Sequence, residues 1–396
     1  MDNDFDAPIE RRGTASFKWD LHGGDVLPLW VADMDFAAPP PVVRALEARA
    51  AHGVYGYSLV PESLVEAIVE HLERRYGWRI EHDWIVWLPS VVPGLNLACD
   101  AFAAAGEAVL TVTPVYPPFL EAPSQRDRRL TTVAAELCDG RWELPLAALE
   151  EAAPDTRVML LCHPHNPLGR VWRRDEVVAL VDLCRRHDLV LISDEIHCDL
   201  VLDDLPHVPA ALACPDDADR IVTLMSPSKT FNLPGLNFAF AIVADPDLRR
   251  RFLRPGDGLL PFPGCFAVTA AEAAYRSGGA WLGELLAYLR DNRDMLETFV
   301  ADELPRVDMT HVEATYLAWL RVDRSGLEDP AAACRAAGTA PSARRAGRSS
   351  TSRTPRTSAC RGSTRTVRSW GSSACSAGRS ITPSRSPPSI RRGGSG

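Results

Sequence analysis

Between about residue 40 and residue 300 the apolar positions follow two rhythms in alternation. In residues 61–77, Leu64, Ile68 and Leu72 recur at four-residue steps, which predicts an amphipathic helix. Residues 173–187 repeat that rhythm, with Val177, Leu180, Val181 and Cys184 on one face. Between such stretches lie short, nearly continuous apolar runs at 84–88, 108–112, 158–162, 189–192, 221–225 and 238–243. Runs of this kind, bounded by turn residues, predict strands buried on both faces. The alternation predicts an α/β fold: a mostly parallel central sheet with helices on both faces. A longer helical pattern runs from 281 to about 303, and a further strand is expected over 314–322 in a second, smaller α+β domain. The expected division is an N-terminal arm over 1–40, a large domain over 41–285 and part of a small domain over 286–334.

The last 62 residues break the pattern. Residues 335–396 hold 22 Ser or Thr, no Leu or Phe, and only Val367, Trp370, Ile381 and Ile390 as large apolar groups. Four such side chains cannot offset the entropy of ordering the segment, so disorder is expected. Charge divides at the same place. Residues 1–334 carry 30 basic and 52 acidic side chains, whereas the tail carries 13 Arg and no acid. A basic tail invites a nucleic-acid reading, but this one lacks lysine and any folded platform, so no nucleic-acid partner is expected. No apolar run reaches 18 residues and the N-terminus lacks a signal-peptide layout, so a cytoplasmic protein without membrane association is expected. The ten cysteines include no C-x-x-C pair and read as reduced, mostly buried thiols.

Two of the 43 basic residues are lysine, Lys18 and Lys229. Chemistry that needs an amine therefore has two candidates. In open α/β sheets, ligands bind beyond the carboxyl ends of the strands. Five of the predicted strands here are followed there by a chemically capable group. The first leads into Ser90-Val91-Val92-Pro93-Gly94, the start of a helix whose free N–H groups suit an anion. The others lead to Tyr116, to Asn166-Pro167-Leu168-Gly169, to Ser193-Asp194-Glu195-Ile196-His197, and to Ser226-Pro227-Ser228-Lys229. One rim would thus carry an anion cradle, an aromatic ring, an amide, a carboxylate, hydroxyls and an amine. Pyridoxal phosphate requires such a set: a lysine for covalent attachment, a carboxylate for the pyridine nitrogen, a ring to stack on, and donors for the phosphate.

On these motifs the chain resembles the fold-type-I pyridoxal-phosphate enzymes of the aminotransferase class I/II superfamily. It is most similar to the carbon–sulfur lyases of the MalY/PatB type, the cystathionine β-lyases. The resemblance implies that Lys229 is the attachment site and that Asp194 pairs with the pyridine nitrogen. It implies that Asn166 bonds the ring oxygen, that Tyr116 stacks, and that Val91, Val92, Ser226 and Ser228 serve the phosphate. Tyr57, in Gly53-Val54-Tyr55-Gly56-Tyr57-Ser58, resembles a tyrosine that enters the neighbouring subunit's site, which implies a homodimer with shared sites. Ala32-Asp33-Met34-Asp35-Phe36 resembles the lyase branch's N-terminal signature, and His197 stands where many aminotransferases have tyrosine. The implied activity is cleavage of cystathionine or a related S-substituted cysteine to a thiol, pyruvate and ammonia. Transamination is the alternative, since the same residues support it.

Other readings are weaker. Ser226-x-x-Lys229 also fits a serine-acylase pattern, but its partner motifs are absent. The spacing of His163, His165, His197 and Cys198 matches no zinc site, so no metal is expected. The family's small domain ends near Val-Arg-Leu-Asn, whose arginine grips the substrate carboxylate, and no such motif occurs here. Residues 370–375, back-translated and read two bases later, can spell Gly-Leu-Val-Arg-Leu. A change of reading frame near Cys334 is therefore expected, which would leave a catalytically impaired remnant of the small domain.

Overall fold

The computed structural model describes residues 3–22, 24, 26–322, 325–326, 339–341 and 366–368. The apolar runs form one seven-stranded sheet. Its order across the sheet is Ile85–Leu88, Ala239–Ile242, Ile221–Met225, Val190–Asp194, Thr156–Cys162, Ala108–Thr113 and Arg129–Ala134. Only Ala239–Ile242 runs against the rest among these strands. Register brings Cys162 opposite Asp194, and Asp194 opposite Leu224, so adjacent strands end level along one rim.

The continuous apolar runs reflect burial on both faces. Val158 and Leu160 pack with the helix Val91–Phe102 on one face, while Met159 and Leu161 pack with the helix Arg174–Arg186 on the other. A third core cluster joins the helix Glu62–Tyr76 to the helices Cys265–Ser277 and Gly279–Glu303. There Leu64, Ile68 and Leu72 are buried at the spacing read from the sequence. Gly77, at φ +67°, ends that helix in the left-handed region that glycine adopts without steric cost.

Two elements differ from expectation. The strand expected over 314–322 shrinks to Trp319–Arg321. Thr315 takes φ +74° and stops the extended run, and Tyr316 and Leu317 turn into the core instead. The edge strand Arg129–Ala134 was not expected, because its mostly exposed, mixed sequence lacks an apolar run. The expected division at residue 285 falls inside the helix Gly279–Glu303. Within the tail, Thr339–Pro341 pairs with Leu27–Leu29, and Thr366–Arg368 pairs with Trp319–Arg321. The disorder expected for the rest of the tail, and the frame change expected near Cys334, concern residues outside the described set.

Among the described residues no helix is long and apolar enough to cross a membrane. Seven described cysteines are free thiols, five of them buried. Burial pushes the thiols of Cys99 and Cys184 up to about 12, which keeps them protonated and unreactive.

Candidate active site

A cavity of about 320 Å³ opens where five strands end, within the size range of small-molecule sites. Nine of the ten residues singled out from the sequence line it: Val91, Val92, Tyr116, Asn166, Asp194, His197, Ser226, Ser228 and Lys229. The tenth, Tyr57, is 98% exposed on the loop after the helix Pro40–His52 and does not line the cavity of its own chain.

Local sequence explains each placement. Ser90 gives the helix Val91–Phe102 no side-chain cap, so the first-turn N–H groups stay available at the cavity wall. Gly94 lets that turn approach the sheet, since a Cβ there would lie 3.1 Å from Leu88 and Leu224 side-chain carbons. Tyr116 N–H donates to the Asn166 carbonyl at 3.0 Å, which ties two rim loops together. Asn166 itself is buried, and its Oδ1 has no hydrogen-bond partner among the described residues. Ser226 caps the short turn carrying Lys229 by accepting from Ser228 N–H, and it donates to the Phe238 carbonyl at 2.6 Å. The Ser226 and Ser228 hydroxyls lie 2.8 Å apart.

Three ionisable groups set the electrostatics. Asp194 accepts from Ile196 N–H at 3.1 Å, and burial pushes its carboxyl up to about 7 despite that bond. Lys229 Nζ donates to the Ala32 carbonyl at 2.7 Å. Burial lowers its pKa, while the Asp33 and Asp194 carboxylates pull the other way. His197 falls to about 3, first through burial and then through Lys229, so its ring is neutral. The cavity thus brings together an amine whose proton affinity burial lowers and a carboxyl group whose pKa burial raises. Such opposed shifts in one cleft mark a functional site.

Support for the lysine turn comes from behind. Thr230 donates to Asp199 at 3.2 Å, and Asp199 also takes Tyr76 at 2.6 Å and His71 at 3.0 Å. Burial disfavours charge on Asp199, but His71 and Tyr76 outweigh it and hold the group below the usual carboxylate range. The helix Glu62–Tyr76 is thereby fastened to the residue next to Lys229. Among the other groups singled out earlier, His163 lies against the His207 ring, tilted by 38° with ring centres 4.3 Å apart, and His165 Nε2 lies 2.9 Å from the Pro114 carbonyl.

Sequence reasoning did not assign several wall residues: Trp30, Val31, Ala32, Cys162, Phe238 and Leu317. Most are apolar or act through the backbone, so residue type gave no signal. The motif Ala32-Asp33-Met34-Asp35-Phe36 was noticed as a signature, but not as a segment that touches Lys229.

A family model described as "Aminotransferase class I and II" matches residues 24–348. Cystathionine beta-lyase PatB of Bacillus subtilis is 40% identical over 336 residues, covering 82% of this chain and 86% of that protein. The crystal structure of OvoB superposes with a TM-score of 0.85 at 41% identity, covering 92% of this chain and 93% of that one. The structure of a PLP-bound C-S lyase from Staphylococcus hominis gives a TM-score of 0.81 at 30% identity, covering 86% of this chain and 89% of that one.

Proposed function

We propose that this chain, which belongs to the aminotransferase class I and II family, is a pyridoxal-phosphate-dependent carbon–sulfur β-lyase. Its substrate class is cystathionine or related S-substituted cysteines, and its products are a thiol, pyruvate and ammonia. The observation that carries the reading is the convergence of Lys229, Asp194 and Asn166 on one cavity. The donor set fits the cofactor. The Asn166 amide has an unpartnered buried oxygen, and Asp194 is a buried carboxyl that a ring cation would hold ionised.

Lys229 would hold the cofactor covalently, Asp194 its ring nitrogen, Asn166 its ring oxygen and Tyr116 its face. The N–H groups of Val91 and Val92, with the hydroxyls of Ser226 and Ser228, would hold its phosphate. When bound, pyridoxal phosphate supplies an electron sink for negative charge at the substrate's Cα. The remaining work belongs to the chain. Once the substrate's amino group has taken its place on the cofactor, the freed Lys229 Nζ would be the base placed to take the Cα proton. Asp194 keeps the ring nitrogen's proton in place. Neutral His197 lines the wall without adding a competing charge. Trp30, Phe238 and Leu317 give the cavity its apolar wall.

Two further statements belong to this reading. Tyr57, exposed and away from its own cavity, serves the site of a second copy in a homodimer. No arginine lines the cavity among the described residues, so this chain turns over slowly for want of a guanidinium on the substrate carboxylate.

The test is direct. The purified 396-residue chain, loaded with pyridoxal phosphate, is given cystathionine, and pyruvate release is followed with and without an α-keto acid acceptor. Slow pyruvate release that needs no acceptor is the expected result. An absolute requirement for the acceptor would make the chain an aminotransferase and overturn the lyase reading.

A further inference from the structure

The N-terminal arm reaches the catalytic lysine through a chain of contacts. The carbonyl of Ala32 accepts from Lys229 Nζ at 2.7 Å and from Tyr316 Oη at 3.0 Å. Beside it, residues 32–36 are laced to the lysine turn by Asn232. Its Oδ1 accepts from Met34 N–H at 3.0 Å, and its Nδ2 donates to the carbonyls of Met34 and Phe36 at 3.0 and 2.8 Å. On the far side, Asp35 gathers the arm. Lys18 Nζ lies 2.7 Å from Asp35 Oδ2 and donates to the Asp33 carbonyl at 2.8 Å. Trp19 Nε1 donates to Asp35 Oδ1 at 2.7 Å, and Arg11 bridges Asp33 and Asp35.

Lys18 is 1% exposed, which is rare for lysine and costly unless the ammonium is fully paired. A buried pair of this kind adds little net stability by itself but fixes geometry, because either partner alone is strongly disfavoured. What it fixes here is the five-residue strap whose first carbonyl holds the amine of Lys229.

We propose that Asp35 is a positioning residue for the catalytic lysine: by ion-pairing with Lys18 and Arg11 it sets the strap 32–36, and the Ala32 carbonyl then aims the Lys229 amine into the cavity. The proposal rests on the cofactor reading above. It accounts for a buried lysine away from the cavity in a chain that uses arginine at 41 of its 43 basic positions. A correctly aimed amine meets an aldehyde with a high effective concentration, and a loosened strap forfeits that advantage.

The test separates aiming from binding. Cofactor-free wild type and Asp35→Asn are mixed with pyridoxal phosphate, and the rate of covalent attachment to Lys229 is followed by absorbance. In parallel, the affinity for pyridoxine 5′-phosphate, which lacks the aldehyde and cannot attach, is measured by fluorescence. Asp35→Asn is expected to attach at least tenfold more slowly while its affinity for pyridoxine 5′-phosphate changes less than twofold. Trp19→Phe, which removes one hydrogen bond and keeps every charge, is expected to slow attachment two- to threefold and decides the matter where Asp35→Asn does not fold. Unchanged attachment, or attachment and affinity falling together, would overturn the proposal, as would a wild type that attaches no cofactor. A wild type that attaches the cofactor but releases no pyruvate removes the lyase reading and leaves the positioning role to be judged by the same rates.

Discussion

Lys18 is buried and Lys229 half-buried in one small neighbourhood, and their surroundings are opposite. Lys18 has a carboxylate at 2.7 Å and a carbonyl at 2.8 Å, and its side chain is closed off from solvent. Lys229 has a carbonyl at 2.7 Å and faces a cavity, with the Asp33 and Asp194 carboxylates felt only at a distance. Paired with a carboxylate and a carbonyl, Lys18 ties a chain segment down. Held by one carbonyl and facing the cavity, Lys229 is left accessible for reaction. The difference shows that burial alone does not make a lysine catalytic; the counter-charge in contact with it decides.

The largest effects are expected at Lys229. Lys229→Ala should abolish covalent attachment and lower pyruvate release by about 10³-fold or more, in the range assigned to loss of a general base. Lys229→Arg should lose as much, because a guanidinium neither attaches nor deprotonates near neutral pH. Mass spectrometry of the borohydride-reduced protein and a pyruvate assay check both. An active Lys229→Arg variant would remove Lys229 from the chemistry.

Asp194 bears on the contrast from the other side, since it is one of the two carboxylates that Lys229 feels without touching. Asp194→Asn should lower pyruvate release by about 10²–10³-fold, the usual effect of removing one preorganised electrostatic partner. Its effect on the cofactor-free chain should be the reverse. The folded carboxyl titrates near 7, above its ordinary value, so the folded state holds this proton more firmly than the unfolded state does. The resulting stability is fully present below about pH 4 and is lost as pH rises through about 7. Asp194→Asn removes that loss. Denaturant unfolding should show the variant gaining on wild type between pH 5 and pH 8, by on the order of 3 kcal/mol. A gap that does not widen with pH would mean that Asp194 has a compensating cation in the cofactor-free chain.

The sheet and the rim chemistry were legible in the sequence because both depend on short-range signals. Continuous apolar runs such as 158–162 can be satisfied only by a strand covered on both faces, and the residue after each run then lies at the rim. Lysine scarcity focused attention on Lys229 for the same local reason. What escaped was long-range. The strand expected over 314–322 failed at Thr315, whose left-handed backbone is set by packing and by its N–H bond to the Leu200 carbonyl. The roles of Ala32 and Asn232 could not be read, because a backbone carbonyl has no residue-type signature and the strap meets the lysine turn across about 200 residues. Lys18 was visible as one of two lysines, but nothing local announced its burial.

The effects at Lys18 fall on stability and not on the reacting groups, and they test whether its role is charge or shape. Lys18→Met removes one charged partner of Asp35 but leaves Arg11 and Trp19 on it, so the cost should be about 2 kcal/mol, below the range for a buried charge left without a partner. Lys18→Arg keeps the charge but must fit a planar fork into a space that fits one ammonium, which should cost about 1 kcal/mol through overpacking. Denaturant midpoints at pH 7 measure both. If charge alone mattered, arginine would match wild type, as it does the work of lysine at most basic positions of this chain. A cost for Lys18→Arg as large as that for Lys18→Met would instead show that the strap depends on the compact geometry of the ammonium. The two lysines would then be retained for one reason: each site needs an amine's shape, Lys229 for reaction and Lys18 for fit.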